Sequence, residues 1–210
     1  VMGYPGTTDR SMTSSGLNMN LEVINPSVVK IRDSKLRLMK EDMDRDPAIN
    51  LMYRSKYNRS SNYWKYYIGQ TEVLKRLKAM DKKKATEADF TKWVNADAAR
   101  KAKYGNVLGS FADIYKQYKD QNLYQQLWYT QLMFFGSQAF AFPGQASAIE
   151  TALKAGTKGE ELKKEMEKYK ETSEEHFKYY NNEIEKNVLI DLLVLYRANI
   201  PAAQQPAVFA

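Results

Sequence analysis

The chain is predicted to be all-α: a helical bundle with a long projecting helical arm and a short extended segment at its N-terminus. Three observations predict this class. A mostly apolar stripe recurs every three or four residues, most clearly at Leu162, Met166, Tyr169, Ser173, Phe177, Tyr180, Ile184, Val188, Leu192 and Leu195, the spacing of one helix face. Only 10 Gly and 6 Pro interrupt 210 residues, and they cluster at the ends and at a few joints. A 43% hydrophobic content with 15 Tyr excludes intrinsic disorder and supplies large rings for packing.

Taken in order, Val1-Met2-Gly3-Tyr4-Pro5-Gly6 reads as a strand end entering a tight turn, because Pro presets φ and Gly accepts positive φ. Residues 1–20 are therefore expected to be the end of a strand and a linker, at a boundary inside a larger protein. Asn25 and Pro26 read as a cap and first helical residue. Asp46-Pro47 repeats that signal, so a helix bends or restarts there. Ser60 or Ser61 is expected to cap a helix over 60–84, and Thr86 with Asp89 resembles a capping box opening a helix over 87–104.

Leu108, Phe111, Ile114, Tyr115 and Tyr118 then share a face, and residues 123–135 are apolar over an arc wide enough for burial on several sides. Phe142-Pro143-Gly144 stops that segment. A final helix is expected over 159–198, a rod of roughly 60 Å at 1.5 Å per residue. The domain reading is a helical domain over 21–200 with a return linker over 201–210.

The formal net charge of +7 permits an anionic partner without identifying one. Zero cysteines exclude a disulfide framework and a thiolate metal site. The apolar runs 188–196 and 132–143 are interrupted and fall short of the roughly 20 residues a membrane span needs.

His176 is the only histidine, so a His-based metal cluster is excluded and a Ser-His-Asp triad would depend on that residue. Its charged surroundings, Glu174-Glu175-His176-Phe177-Lys178, favour a solvated or stripe-edge position. No nucleophile elbow, phosphate loop or dinucleotide fingerprint is present. Glu160/Glu161 and Glu174/Glu175 read as surface charges on the arm. No cofactor, metal or catalytic residue is expected in this chain, which should be inactive alone.

Residues 65–103 hold eleven Lys or Arg against five Asp or Glu. This is read as a solvated face with Trp64 and Trp93 turned inward, rather than a nucleic-acid surface. A helical interaction module with this basic face is the alternative function. The remaining candidate is Arg59-Ser60-Ser61-Asn62-Tyr63-Trp64-Lys65, polar residues placed directly before two aromatics.

Gly3-Tyr4-Pro5-Gly6-Thr7 with Arg10 and Thr13-Ser14, Lys40-Glu41-Asp42-Met43, Ser55-Lys56-Tyr57, and above all Ser60-Ser61-Asn62-Tyr63-Trp64-Lys65 with Gly69 resemble the dipeptidyl-peptidase 7 and 11 family. These are bacterial serine exopeptidases with a chymotrypsin-type double β-barrel and an inserted helical domain. Ser11 stands where that family has an aromatic.

The resemblance implies that the triad lies in barrel portions flanking this chain, which would be the helical lid. It implies that Asn62 binds the free amino terminus of a peptide, with Tyr63 and Trp64 packing. A carboxamide oxygen can accept from an ammonium without a buried charge pair, at a position roughly 7 Å, or two extended residues, from the cut. It further implies a peptide substrate and the barrel as partners, no nucleic acid and no membrane span. Placement would be periplasmic, outer-membrane associated or secreted, and a homodimer stays open.

Overall fold

The computed structural model describes residues 12–205, and every described element is a helix or a turn between helices. The extended segment expected at the start lies outside the described residues up to residue 11. From Ser14 the chain is helical. It divides into two compact units, Val1–Pro26 with Tyr67–Leu123, and Ser27–Tyr66 with Tyr124–Ala210.

In the first unit, Thr13 caps α1 (Ser14–Met19) by accepting from Gly16 N at 3.3 Å. One π-helical turn, Asn20–Ile24, then feeds α2 (Asn25–Arg45) without a break. The cap expected at Asn25 is corrected by this continuity. Asn25 is helical and buried, and its Nδ2 donates to Gln70 Oε1 (3.0 Å) and Thr71 Oγ1 (2.9 Å). A residue able to cap has instead become a cross-link inside the unit.

Helix α3 (Pro47–Arg76) contributes its last turns to this unit, and Lys78 at φ 50° separates it from α4 (Ala79–Asn95). Thr86 is inside α4, its hydroxyl donating to the Lys82 carbonyl at 3.1 Å, so the expected capping box is absent. Asp97 opens α5 (Ala98–Tyr104) by accepting from Arg100 N at 2.8 Å. Then come α6 (Val107–Gln117) and α7 (Lys119–Tyr124). A Cβ at Gly16 would stand 2.6 Å from Tyr115 Oη, so α1 and α6 meet through that glycine.

One apolar expectation fails here. Trp93 is about half exposed, with the Arg100 guanidinium 4.5 Å from its ring, rather than turned to a core. Phe111, Ile114 and Tyr118 are also about half exposed.

In the second unit, Asp46 accepts from Ala48 N at 2.7 Å and α3 restarts at Pro47, as the sequence predicts. Ser60 and Ser61 are buried in the middle of α3, where they cannot cap a helix. A π-helical stretch, Gln125–Phe134, is followed by α8 (Gln138–Ala141), a 3-10 turn, Pro143–Ala146, and α9 (Ser147–Lys154). Among the described side chains of this segment, Gln131 and Leu132 are buried while Phe134 and Phe135 are exposed.

The single rod expected over 159–198 is two helices, α10 (Gly159–Lys178) and α11 (Asn182–Asn199). Asn181 makes the break by accepting from Glu183 N (3.0 Å) and Ile184 N (3.1 Å), a local cap that competes with helix continuation. Helix α3 meets the freed groups: Tyr53 Oη accepts from Asn181 N at 3.0 Å, and Lys56 Nζ donates to the Tyr179 carbonyl.

The two halves of the expected stripe then part. Ile184, Val188 and Leu192 of α11 are buried with Val28, Ile31 and Met39 of α2, and Tyr196 rather than the half-buried Leu195 completes that face, whereas Met166 and Phe177 of α10 are exposed.

Candidate functional site

Asn62 lies in the middle of α3 and is exposed. Tyr53, Ser60 and Ser61 form the buried side of the same helix. The one-residue step from Ser61, about 100° around the axis, turns Asn62 outward. From α2, Arg32 Nη1 reaches Ser60 Oγ at 3.4 Å. Trp64 is half-buried, as expected for packing. Tyr63 is instead 50% exposed, with the Arg32 guanidinium 4.9 Å from its ring centre.

One helical turn from Asn62, the second unit opens into a cavity of about 320 Å³. Arg32, Lys35, Lys56 and Arg59 line it on the charged side, and Tyr63, Phe134 and Phe135 on the aromatic side. At its inner end sits Glu185, 3% exposed. Burying a carboxylate is costly unless donors surround it, and four do. Tyr53 Oη (3.1 Å) and Gln138 Nε2 (2.9 Å) donate to Oε1, while Ser137 Oγ (2.9 Å) and Gln138 N (2.7 Å) donate to Oε2. One carboxylate thereby joins α3, the start of α8 and α11.

The charges shift their neighbours. Burial lowers the Lys35 ammonium to about 8; Glu185 opposes this, and Arg32 and Lys56 add to it. Lys56 is also lowered by burial, again against Glu185. Burial and then the Glu185 charge raise the Tyr53 hydroxyl.

His176 packs among aromatic side chains. Its ring is 4.4 Å from that of Phe142 and 5.2 Å from that of Tyr180, and its Nε2 is buried without a hydrogen-bond partner. Burial lowers its pKa first and the Lys56 charge second, with Glu185 opposing, which favours the neutral imidazole. Among the described residues there is no group of three or more His, Cys, Asp or Glu able to hold a metal ion.

Sequence reasoning missed Glu185 and Arg32. The available signal was their position: Glu185 follows Ile184 within the α11 apolar arc, and Arg32 follows Ile31 within that of α2. A charge inside an apolar arc must be paired or hydrogen-bonded.

The whole of this chain, residues 1–210, matches the family model described as Peptidase S46. The chain belongs to the peptidase S46 family. It is 33% identical over 210 residues to dipeptidyl-peptidase 7 of Porphyromonas gingivalis, covering 99% of this chain and 28% of that protein. To the Asp/Glu-specific dipeptidyl-peptidase of Capnocytophaga gingivalis it is 33% identical over 202 residues, covering 96% and 28%.

The crystal structure of Porphyromonas endodontalis DPP11 in complex with the dipeptide Arg-Glu superposes with a TM-score of 0.72 at 24% identity, over 97% of this chain and 29% of that one. The likeness to that structure shows the shared fold. This S46 chain spans less than a third of the length of the curated relatives it matches. No described helix is long and apolar enough to cross a membrane.

Proposed function

We propose that this chain is the helical substrate-recognition lid of a serine dipeptidyl peptidase that removes dipeptides from the free amino end of peptides, and that Asn62 accepts from the substrate ammonium. The observation that carries the reading is the setting of Asn62, an exposed carboxamide in the interior of a 30-residue helix anchored by buried Ser60 and Ser61 beside it and by buried Tyr53 more than two turns before it. An acceptor on such a helix keeps a defined distance to its surroundings, as measuring two residues from an amino end requires. Membership of the S46 family and the dipeptidyl-peptidase names of the relatives support the same reading.

In this reading the catalytic residues are outside the chain, in a flanking β-barrel, and His176 serves packing among Phe142, Phe177 and Tyr180. The lid closes over the cleft and excludes longer amino-terminal extensions. The same reading places the protein in the periplasm or beyond, and cell fractionation that finds it in the cytosol would reject that placement.

The test is hydrolysis of dipeptides coupled to a chromogenic amine by the intact protein, with free and acylated amino ends. Only the free-amine substrate should be cleaved. Asn62→Ala should lower kcat/KM by about 10- to 100-fold, the range of a hydrogen bond to a charged group, with unchanged helical circular dichroism. Full activity of Asn62→Ala on free-amine substrates removes the assignment.

A further inference from the structure

The cavity of the second unit holds more positive charge than its own carboxylate answers. Among the described residues lining it, Arg32, Lys35, Lys56 and Arg59 are cationic and Glu185 is the one carboxylate. Glu185 already accepts four hydrogen bonds from Tyr53, Ser137 and Gln138. Lys35 Nζ donates to the carbonyls of Phe135 (2.9 Å) and Gly136 (2.5 Å), and Lys56 Nζ to that of Tyr179. Both ammonium groups thus rest on dipoles. Burial lowers the Lys35 ammonium to about 8 against the raising effect of Glu185, with Arg32 and Lys56 adding to the lowering.

The rest of the wall is aromatic. The Arg32 guanidinium lies 4.9 Å from the Tyr63 ring and 5.3 Å from that of Phe135. The exposed edges of Tyr63, Phe134 and Phe135 offer apolar surface beside the cations. A volume of about 320 Å³ exceeds what a bare ion fills and falls in the range of small organic ligand sites.

We propose that this cavity is a second peptide-binding site, taking a carboxylate that carries an apolar or aromatic group. The carboxylate pairs with Lys35 and the guanidinium of Arg59, and the apolar part lies on Tyr63, Phe134 and Phe135. Arginine presents a planar fork matched to a carboxylate, and the partly dry wall strengthens the pairing. The ligand has two peptide sources, a free C-terminus or an acidic side chain.

The test uses ligands without a free amine, so that its outcome is independent of Asn62. Binding of N-acetyl-4-fluorophenylalanine to the intact protein is followed by ¹⁹F NMR. Saturable binding is expected, at least tenfold weaker for the corresponding amide. Arg59→Gln, at the exposed rim, and Lys35→Gln should each weaken it at least fivefold with helical circular dichroism unchanged.

Equal binding of the amide overturns the proposal, as does full binding by Arg59→Gln, which would place the ligand elsewhere. Displacement by inorganic phosphate as efficient as that by N-acetylphenylalanine also overturns it, since only diffuse charge would then be at work. Stronger competition by N-acetylphenylalanine supports the site with a C-terminal source. Stronger competition by N-acetylglutamate α-amide supports it with a side-chain source.

Discussion

The two units each tie helices together through a glutamate, and the difference lies in how dry the glutamate is. In the first unit, Glu87 of α4 accepts from Ser14 N and Ser14 Oγ, both at 2.6 Å, and remains partly exposed. In the second unit, Glu185 also takes a serine hydroxyl and a backbone N–H, but it is buried and adds Tyr53 and the Gln138 carboxamide. Water can replace a lost partner at Glu87. It cannot readily do so at Glu185, where each donor left behind bears its own desolvation penalty. A partly exposed carboxylate can therefore serve as an accessory tie, whereas a buried one becomes a condition of the packing around it.

The widest separation between the units should come from deleting each carboxylate. Glu185→Ala strands the Tyr53 hydroxyl and the Gln138 N–H and carboxamide, while Ser137 Oγ keeps the residue 185 carbonyl at 3.0 Å. It is expected to lower stability by about 3 kcal/mol or more. Glu87→Ala should lose about 1 kcal/mol. Urea midpoints with an unchanged m-value measure both, and equal losses would break the comparison. Tyr53→Phe is intermediate: it removes one donor to Glu185 and the acceptor of Asn181 N, for about 1–2 kcal/mol.

The subtlest effect is a pH slope. Folded Lys35 releases its proton near 8, while the unfolded lysine holds it to about 10.5. Between pH 8 and 10 the unfolded chain binds more protons, so stability rises with pH. Lys56 acts in the same direction. Above about pH 10, Tyr53 reverses the sign, because its raised folded pKa makes the unfolded chain the one that loses the proton first. Thermal midpoints across this range should rise and then fall. Lys35→Gln should flatten the rise, and an unaltered rise in that variant would remove Lys35 as its cause.

The elements legible from local sequence were those whose signal has one physical meaning. Asp46-Pro47 marks a helix start wherever it occurs, because proline lacks an N–H and the aspartate supplies an acceptor, and α3 begins there. The spacing of Ile184, Val188, Leu192 and Leu195 left one buried face as the stable outcome; the first three are buried, and Tyr196 rather than Leu195 completes the face. The resemblance centred on residues 60–65 pointed to the family that the chain proves to belong to.

Residues with several hydrogen-bonding modes were not legible. Asn25, Ser60 and Thr86 each carry a capping side chain, yet Asn25 bonds Gln70 and Thr71, Ser60 meets Arg32, and Thr86 bonds the carbonyl of Lys82. Which mode is used depends on the neighbour within about 3 Å, and sequence order does not give that distance.

By itself, then, the sequence determined the helical class, the main apolar stripe and the family, because all three rest on spacing and composition along the chain. Only the tertiary structure decided that the long stripe breaks at Tyr179–Asn181, that Glu185 is buried among four donors, and that four cations line one cavity beside Tyr63. Each of these joins residues from different helices. The energy of a buried charge depends on the donors packed around it, and packing alone supplies them.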